Sequence, residues 1–84
     1  MSKKLSKQSD CQATSDLALA TALATKFPIK EINSDDPKRV IFFFHKSKEL
    51  EEMVKLYWDK QCLIDAQTYF QQLRQIKSRL YNKN

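Results

Sequence analysis

His45 is the only histidine of the chain, and imidazole is the side chain best suited to general-base work near neutral pH. Such a base needs an orienting carboxylate and a nucleophile beside it, and no motif in the sequence announces either. Placed where an apolar run ends, His45 reads as a polar residue closing a strand. Cys11 and Cys62 lack CxxC spacing. A metal site built from His45, Cys11 and Cys62 would draw together three distant segments without recognisable ligand spacing. Intracellular thiols are normally reduced, so both cysteines are expected to be free packing residues. The carboxylate pairs Asp35/Asp36 and Glu51/Glu52 fall in a turn and on a helix exterior, where solvation explains them. The sequence therefore predicts no catalytic residue, no metal site, no cofactor and no small-molecule substrate. The expected protein is not an enzyme.

The chain has 84 residues and no glycine. Gly-rich phosphate loops need backbone that adopts positive φ and approaches a ligand closely. The ordinary P-loop and Rossmann-type nucleotide sites are thereby excluded. A turn that needs a left-handed residue must use Asn or Asp, and Asn33, Asp35 and Asp36 are the candidates.

Charge is more informative than any single residue. The formal net charge is +5, and it is unevenly held. Residues 1–10 carry three lysines against one aspartate, while residues 11–65 balance eight basic against nine acidic side chains. Residues 66–84 carry Arg74, Lys77, Arg79 and Lys83 and no acid. Positive charge segregated to two ends favours a polyanion, through counterion release and steering. Projected at about 100° per residue, Arg74, Lys77 and Tyr81 share one edge of an apolar helical arc, and Arg79 and Lys83 form a second strip. Cations beside a tyrosine grip phosphate while the ring packs against sugar or a base. With Lys38 and Arg39, these residues are the candidate nucleic-acid contacts. A bland role fits them equally: cations in the last turns complement the helix dipole, and long basic stems cover apolar surface. No helix-turn-helix, RNA-recognition or zinc-finger signature accompanies them.

The elements that must position these residues follow from periodicity and punctuation. Residues 1–12 are expected to form a flexible basic tail, and residues 13–84 a single α+β domain. A first helix is predicted from about Asp16 to Lys26, with Thr14 and Ser15 offering N-cap hydroxyls. Pro28 biases the residue before it toward extended backbone, so the helix should stop at or before Phe27. Strands are predicted at Ile29 to Asn33 and Val40 to Phe44, joined as a two-stranded antiparallel hairpin through the turn formers of residues 33–38. The second strand is a near-continuous apolar run, which favours coverage on both faces. A second helix should follow Ser47, burying Leu50, Met53, Val54, Tyr57 and Trp58. Asp65 can cap a third helix reaching about Tyr81, in which Ala66, Tyr69, Phe70, Leu73, Ile76 and Leu80 span an arc of roughly 120°. The predicted order is helix, hairpin, helix, helix, with the hairpin packed on the helices.

In the hairpin, Phe42 and Phe44 share a face with Val40, while Phe43 points opposite with Ile41. Should helices cover one side only, Ile41 and Phe43 become an apolar patch for a partner or a second copy. Leu17, left off the main face of the first helix, is the third candidate for such contact.

The runs Thr14-Ser15-Asp16-Leu17-Ala18-Leu19-Ala20 and Val40-Ile41-Phe42-Phe43-Phe44, Tyr57-Trp58, Tyr69-Phe70 and the stretch Leu73 to Tyr81 carry a resemblance. The chain resembles a family of short, functionally uncharacterised prokaryotic proteins, a domain of unknown function, across about residues 12–82. Members often have a glycine after the first helix, where this chain has Lys26-Phe27-Pro28. The resemblance implies a shape without a site. Its viral and mobile-element contexts imply a nucleic-acid or replication-associated role.

Two expectations stand side by side. One is a small cytoplasmic nucleic-acid accessory factor with little base specificity. The other is a protein-interaction module: a homodimer, a small subunit, or an inhibitor encoded by a mobile element. No apolar run of about 18 residues offers a membrane span, so no membrane partner is expected.

Overall fold

The computed structural model describes residues 10–81. The chain folds as β1 (Cys11–Thr14), α1 (Leu17–Ala24), β2 (Ile29–Asn33), β3 (Ile41–His45), α2 (Lys48–Trp58) and α3 (Ala66–Tyr81). Most of the tail, residues 1–9, lies outside the described residues, as does Lys83.

The α+β class holds, but the hairpin is not two-stranded. β1 adds to the far edge of β3, giving a three-stranded antiparallel sheet in the order β1-β3-β2. Cys11 pairs with His45 and Thr14 with Phe42, and the Asp10 carbonyl extends the ladder by accepting from Lys46 N–H at 2.9 Å. Cys11 and Gln12 therefore belong to the sheet rather than to the tail. Both edge strands run antiparallel to β3 and so parallel to each other, with α1 as the crossover between them. This topology places α1 against one sheet face.

Local chemistry sets the element ends. Asp16 is the N-cap of α1, ahead of Thr14 and Ser15, because its carboxylate accepts from Leu19 N–H at 3.2 Å. Thr14 supports the entry instead, its hydroxyl accepting from Asp16 N–H. Ser47 caps α2 through Leu50 N–H, and Asp65 accepts from Thr68 N–H at the start of α3. Each such cap is worth about 1 kcal/mol. Asn33 and Asp36 close turns with their side chains, accepting from Asp35 and Lys38 N–H.

Neither residue goes left-handed, however; that role falls to Lys60, at φ 61°. Lys60 and Gln61 donate to the Tyr57 and Leu56 carbonyls, the paired bonds of a helix C-terminal turn whose pivot is usually glycine. A chain without glycine holds a Cβ there at a cost of about 1 kcal/mol. Lys60→Gly is accordingly expected to raise stability by about 0.5–1 kcal/mol, read as a higher urea midpoint at unchanged m-value.

The core lies between the sheet and the helices. Leu19, Ala20, Ala22, Leu23, Phe42, Phe44, Leu50, Met53 and Ile76 are buried in one cluster. In α1 all of residues 19–23 are buried, so this helix is the centre of the fold, with α2 and α3 packed on it. Thr21 tolerates that position because its hydroxyl donates to the Leu17 carbonyl at 2.8 Å. Among the described residues, no helix covers the second face of β3. Phe42 and Phe44 enter the core, whereas Ile41 and Phe43 stay half-buried on the opposite face, outside the cluster. All three helices contribute their buried residues to the Phe42 and Phe44 side.

Candidate nucleic-acid interface

α3 is amphipathic, but it commits little of itself to the core. Ile76 is buried, and Tyr69 and Leu80 pack partly against the cluster. Phe70, expected in the core, is 56% exposed, and Ala66 is also exposed. The reason is geometric. α3 packs chiefly on α1, and a helix-on-helix seam covers a narrower stripe than a broad apolar arc offers.

The uncovered edge of that arc has its own order. Phe70, Arg74, Lys77 and Tyr81 recur at spacings of four, three and four, which stack them along one side of the helix. All four are exposed, Tyr81 at 79%. Gln67, Phe70, Gln71, Leu73, Arg74 and Lys77 together line a groove along this strip. Tyr69 meets Phe70 edge-on, with ring centroids 5.8 Å apart and planes at 81°. That contact fixes one side of the Phe70 ring and leaves the ring largely in solvent. No carboxylate belongs to α3. Phe70, like Trp58 at 59% exposed on α2, was expected to be buried and is not; its spacing to Arg74, Lys77 and Tyr81 was the signal available.

The other candidates are partly gathered. Ser15, Leu17, Lys38, Arg39, Val40 and Leu80 line a second groove. Leu80 brings the turn between β2 and β3 to the end of α3 that carries Arg79 and Tyr81. Lys38 and Arg39 therefore extend the basic end of the molecule, while Arg74 and Lys77 lie in the separate groove one to two turns away. Leu17 belongs to the Lys38 groove and packs against the core. It does not join Ile41 and Phe43, so the three candidate partner residues form no single patch.

Ile41 and Phe43 instead centre the open sheet face, with Ala13 and Glu31 as cross-strand partners of Phe43. A bulge between Ile29 and Glu31 turns Lys30 out of register, and its ammonium reaches across to Cys11 Sγ at 3.2 Å. His45, opposite Cys11, is exposed. It lines a shallow groove with Asp10, Lys30, Lys46, Ser47 and Glu51, where Lys46 and Glu51 pair at 3.9 Å. Both cysteines are free thiols. No group of three or more His, Cys, Asp or Glu side chains that could hold a metal occurs among the described residues.

Tyr57 is tuned by its surroundings. Burial pushes its phenol above the ordinary 10.0, and Asp16, then Tyr69 and Cys62, push it further. Those neighbours place it where α1, α2 and α3 meet, with Trp58 edge-on at 5.1 Å. Its role is packing at that junction.

A family model described as a domain of unknown function, DUF5659, matches residues 10–82. The chain belongs to that family. The span takes in every described element and the whole basic helix of this DUF5659 chain. No curated protein and no solved structure matches it significantly. Among the described residues, no helix of the DUF5659 fold is long and apolar enough to cross a membrane.

Proposed function

We propose that this chain is a small, non-enzymatic nucleic-acid-associated accessory protein with little base specificity, acting in the cytoplasm. One observation carries the reading: the exposed strip Phe70, Arg74, Lys77 and Tyr81 on a helix without a single acid. Two cations with an aromatic ring at each end, along about 16 Å of helix, suit a single strand, which offers phosphates to the charges and unpaired bases to the rings. Arg79, Lys38 and Arg39 add phosphate contacts at the C-terminal end of α3. No base-reading motif accompanies these side chains in the sequence, so affinity is expected to come from charge and stacking rather than sequence. Work within prokaryotic viruses or mobile elements fits such a role.

Titrating the protein into generic single-stranded DNA and RNA over a range of salt tests the proposal. Binding at low salt with a log–log slope near −3 to −4 is expected for about five phosphates neutralised. Absence of binding at low salt, or binding indifferent to salt, rejects it.

The interaction-module reading has its own support in the open sheet face around Ile41 and Phe43 and in exposed Leu56, Trp58 and Leu63. An exposed apolar surface of this kind in so short a chain marks a protein contact.

A further inference from the structure

A second strip lies on α2. Glu49, Glu52, Met53 and Leu56 line one groove, whose far wall is formed by Phe27, Cys62 and Leu63. Leu56 is 46% exposed and Leu63 91% exposed, so the apolar floor is open to solvent. Lys26 is the only cation at its rim, against Glu49 and Glu52. Among the described residues the ion pair formed is Lys46–Glu51. Glu49 and Glu52 are therefore unpaired there, and so are Arg74 and Lys77.

The two strips match in chemistry and in spacing. Reading α2 forward gives acid, acid, apolar at Glu49, Glu52 and Leu56, with steps of three and four. Reading α3 backward gives base, base, apolar at Lys77, Arg74 and Phe70, with the same steps. In an antiparallel helix pair these triplets superpose over about 10 Å, setting Glu49 opposite Lys77, Glu52 opposite Arg74 and Leu56 opposite Phe70. Within one chain they do not meet, because α2 and α3 each pack on α1 and Phe70 and Leu56 remain exposed.

We propose that the acidic groove of α2 docks the Phe70–Arg74–Lys77 strip of a second copy of this chain. The occupant is argued from charge complementarity and residue-for-residue spacing, and the inference does not rest on the nucleic-acid reading. Each copy presents both halves of the contact. Reciprocal exchange closes a two-fold dimer, and one-way docking builds an open chain.

Sedimentation of the full chain with charge-swapped variants tests this. Wild-type protein self-associates at low salt and dissociates as salt rises. Glu49→Lys/Glu52→Lys places bases in both strips, and Arg74→Glu/Lys77→Glu places acids in both, so each variant alone weakens self-association by at least about tenfold. Mixing the two variants restores opposite charges across both contacts and returns the association to within about tenfold of wild type. All four positions are exposed, and circular dichroism verifies that both variants keep the fold; the milder Gln substitutions serve if either does not. A wild-type monomer at high concentration, variants that associate as wild type does, or a folded mixture that stays monomeric each overturn the proposal. The Glu49→Lys/Glu52→Lys variant separates the two readings: it loses self-association and, with its net charge more positive by four, binds nucleic acid at least as tightly as wild type.

Discussion

Phe44→Ala is expected to lose about 3–5 kcal/mol of folding free energy. Phe44 is fully buried on the central strand, with neighbours from all three helices in the same cluster. A chain of this length holds about 4–12 kcal/mol in total, so the variant sits at the edge of cooperative folding. Phe43→Ala provides the internal comparison. It removes the same ring one residue away, from a half-buried site on the open sheet face, and is expected to cost about 1 kcal/mol. Urea unfolding of the two proteins reads the difference directly. Equal losses would mean that the second sheet face is covered in solution, and the one-sided architecture would have to be abandoned.

That asymmetry also explains what the sequence could and could not reveal. The helices were legible through their punctuation, joined by a helical period in α2 and α3 and by Ala and Leu content in α1: Ser47 and Asp65 cap where expected, and Pro28 follows the end of α1. The alternation Phe42/Phe44 against Ile41/Phe43 was legible for the same reason, since strand geometry has only two faces. β1 was not. Cys11-Gln12-Ala13-Thr14 has no apolar alternation and no strong strand former but Thr14, and it becomes a strand through the free edge that β3 offers. Its pairing is non-local, with more than 25 residues between Thr14 and Phe42, and local pattern holds no trace of it. The expectation of cover on both faces came from the continuous apolar run Val40 to Phe44, and missing β1 left β3 as one strand of a hairpin instead of the centre of a sheet. Lys60 failed differently. Asn and Asp are the usual substitutes for glycine at positive φ, but the requirement arose at the end of α2, where neither was present.

The candidate strip was half legible. Arg74, Lys77 and Tyr81 stood out by charge, while Phe70 vanished into the apolar arc, because period alone cannot say how much of an arc a neighbour covers. The packing of α3 chiefly on one helix frees Phe70, and freeing it converts a basic helix end into a ridge with a ring at each end. The functional reading therefore depends on a residue that charge counting ignores.

Two sets of substitutions along α3 should consequently weaken nucleic-acid binding in different ways. Replacing Arg74, Lys77 and Arg79 with Gln removes three phosphate contacts, so the log–log salt slope for a single strand should become shallower by about 2. At low salt this is the largest loss of affinity that any exposed substitution in the chain should cause. Replacing Phe70 and Tyr81 with Ala should leave the slope unchanged and lower affinity at every salt concentration, by about 1–3 kcal/mol for each ring that stacks on a base. The exposed lysines of α2 supply the control, since Lys48→Gln/Lys55→Gln alters net charge by a similar sign without touching the strip. If that control flattens the slope as much as the α3 variant does, the binding is a property of net charge alone. If the Phe70 and Tyr81 variant binds as wild type does, the rings stack on nothing, and the strip is left to the acidic groove of a second copy.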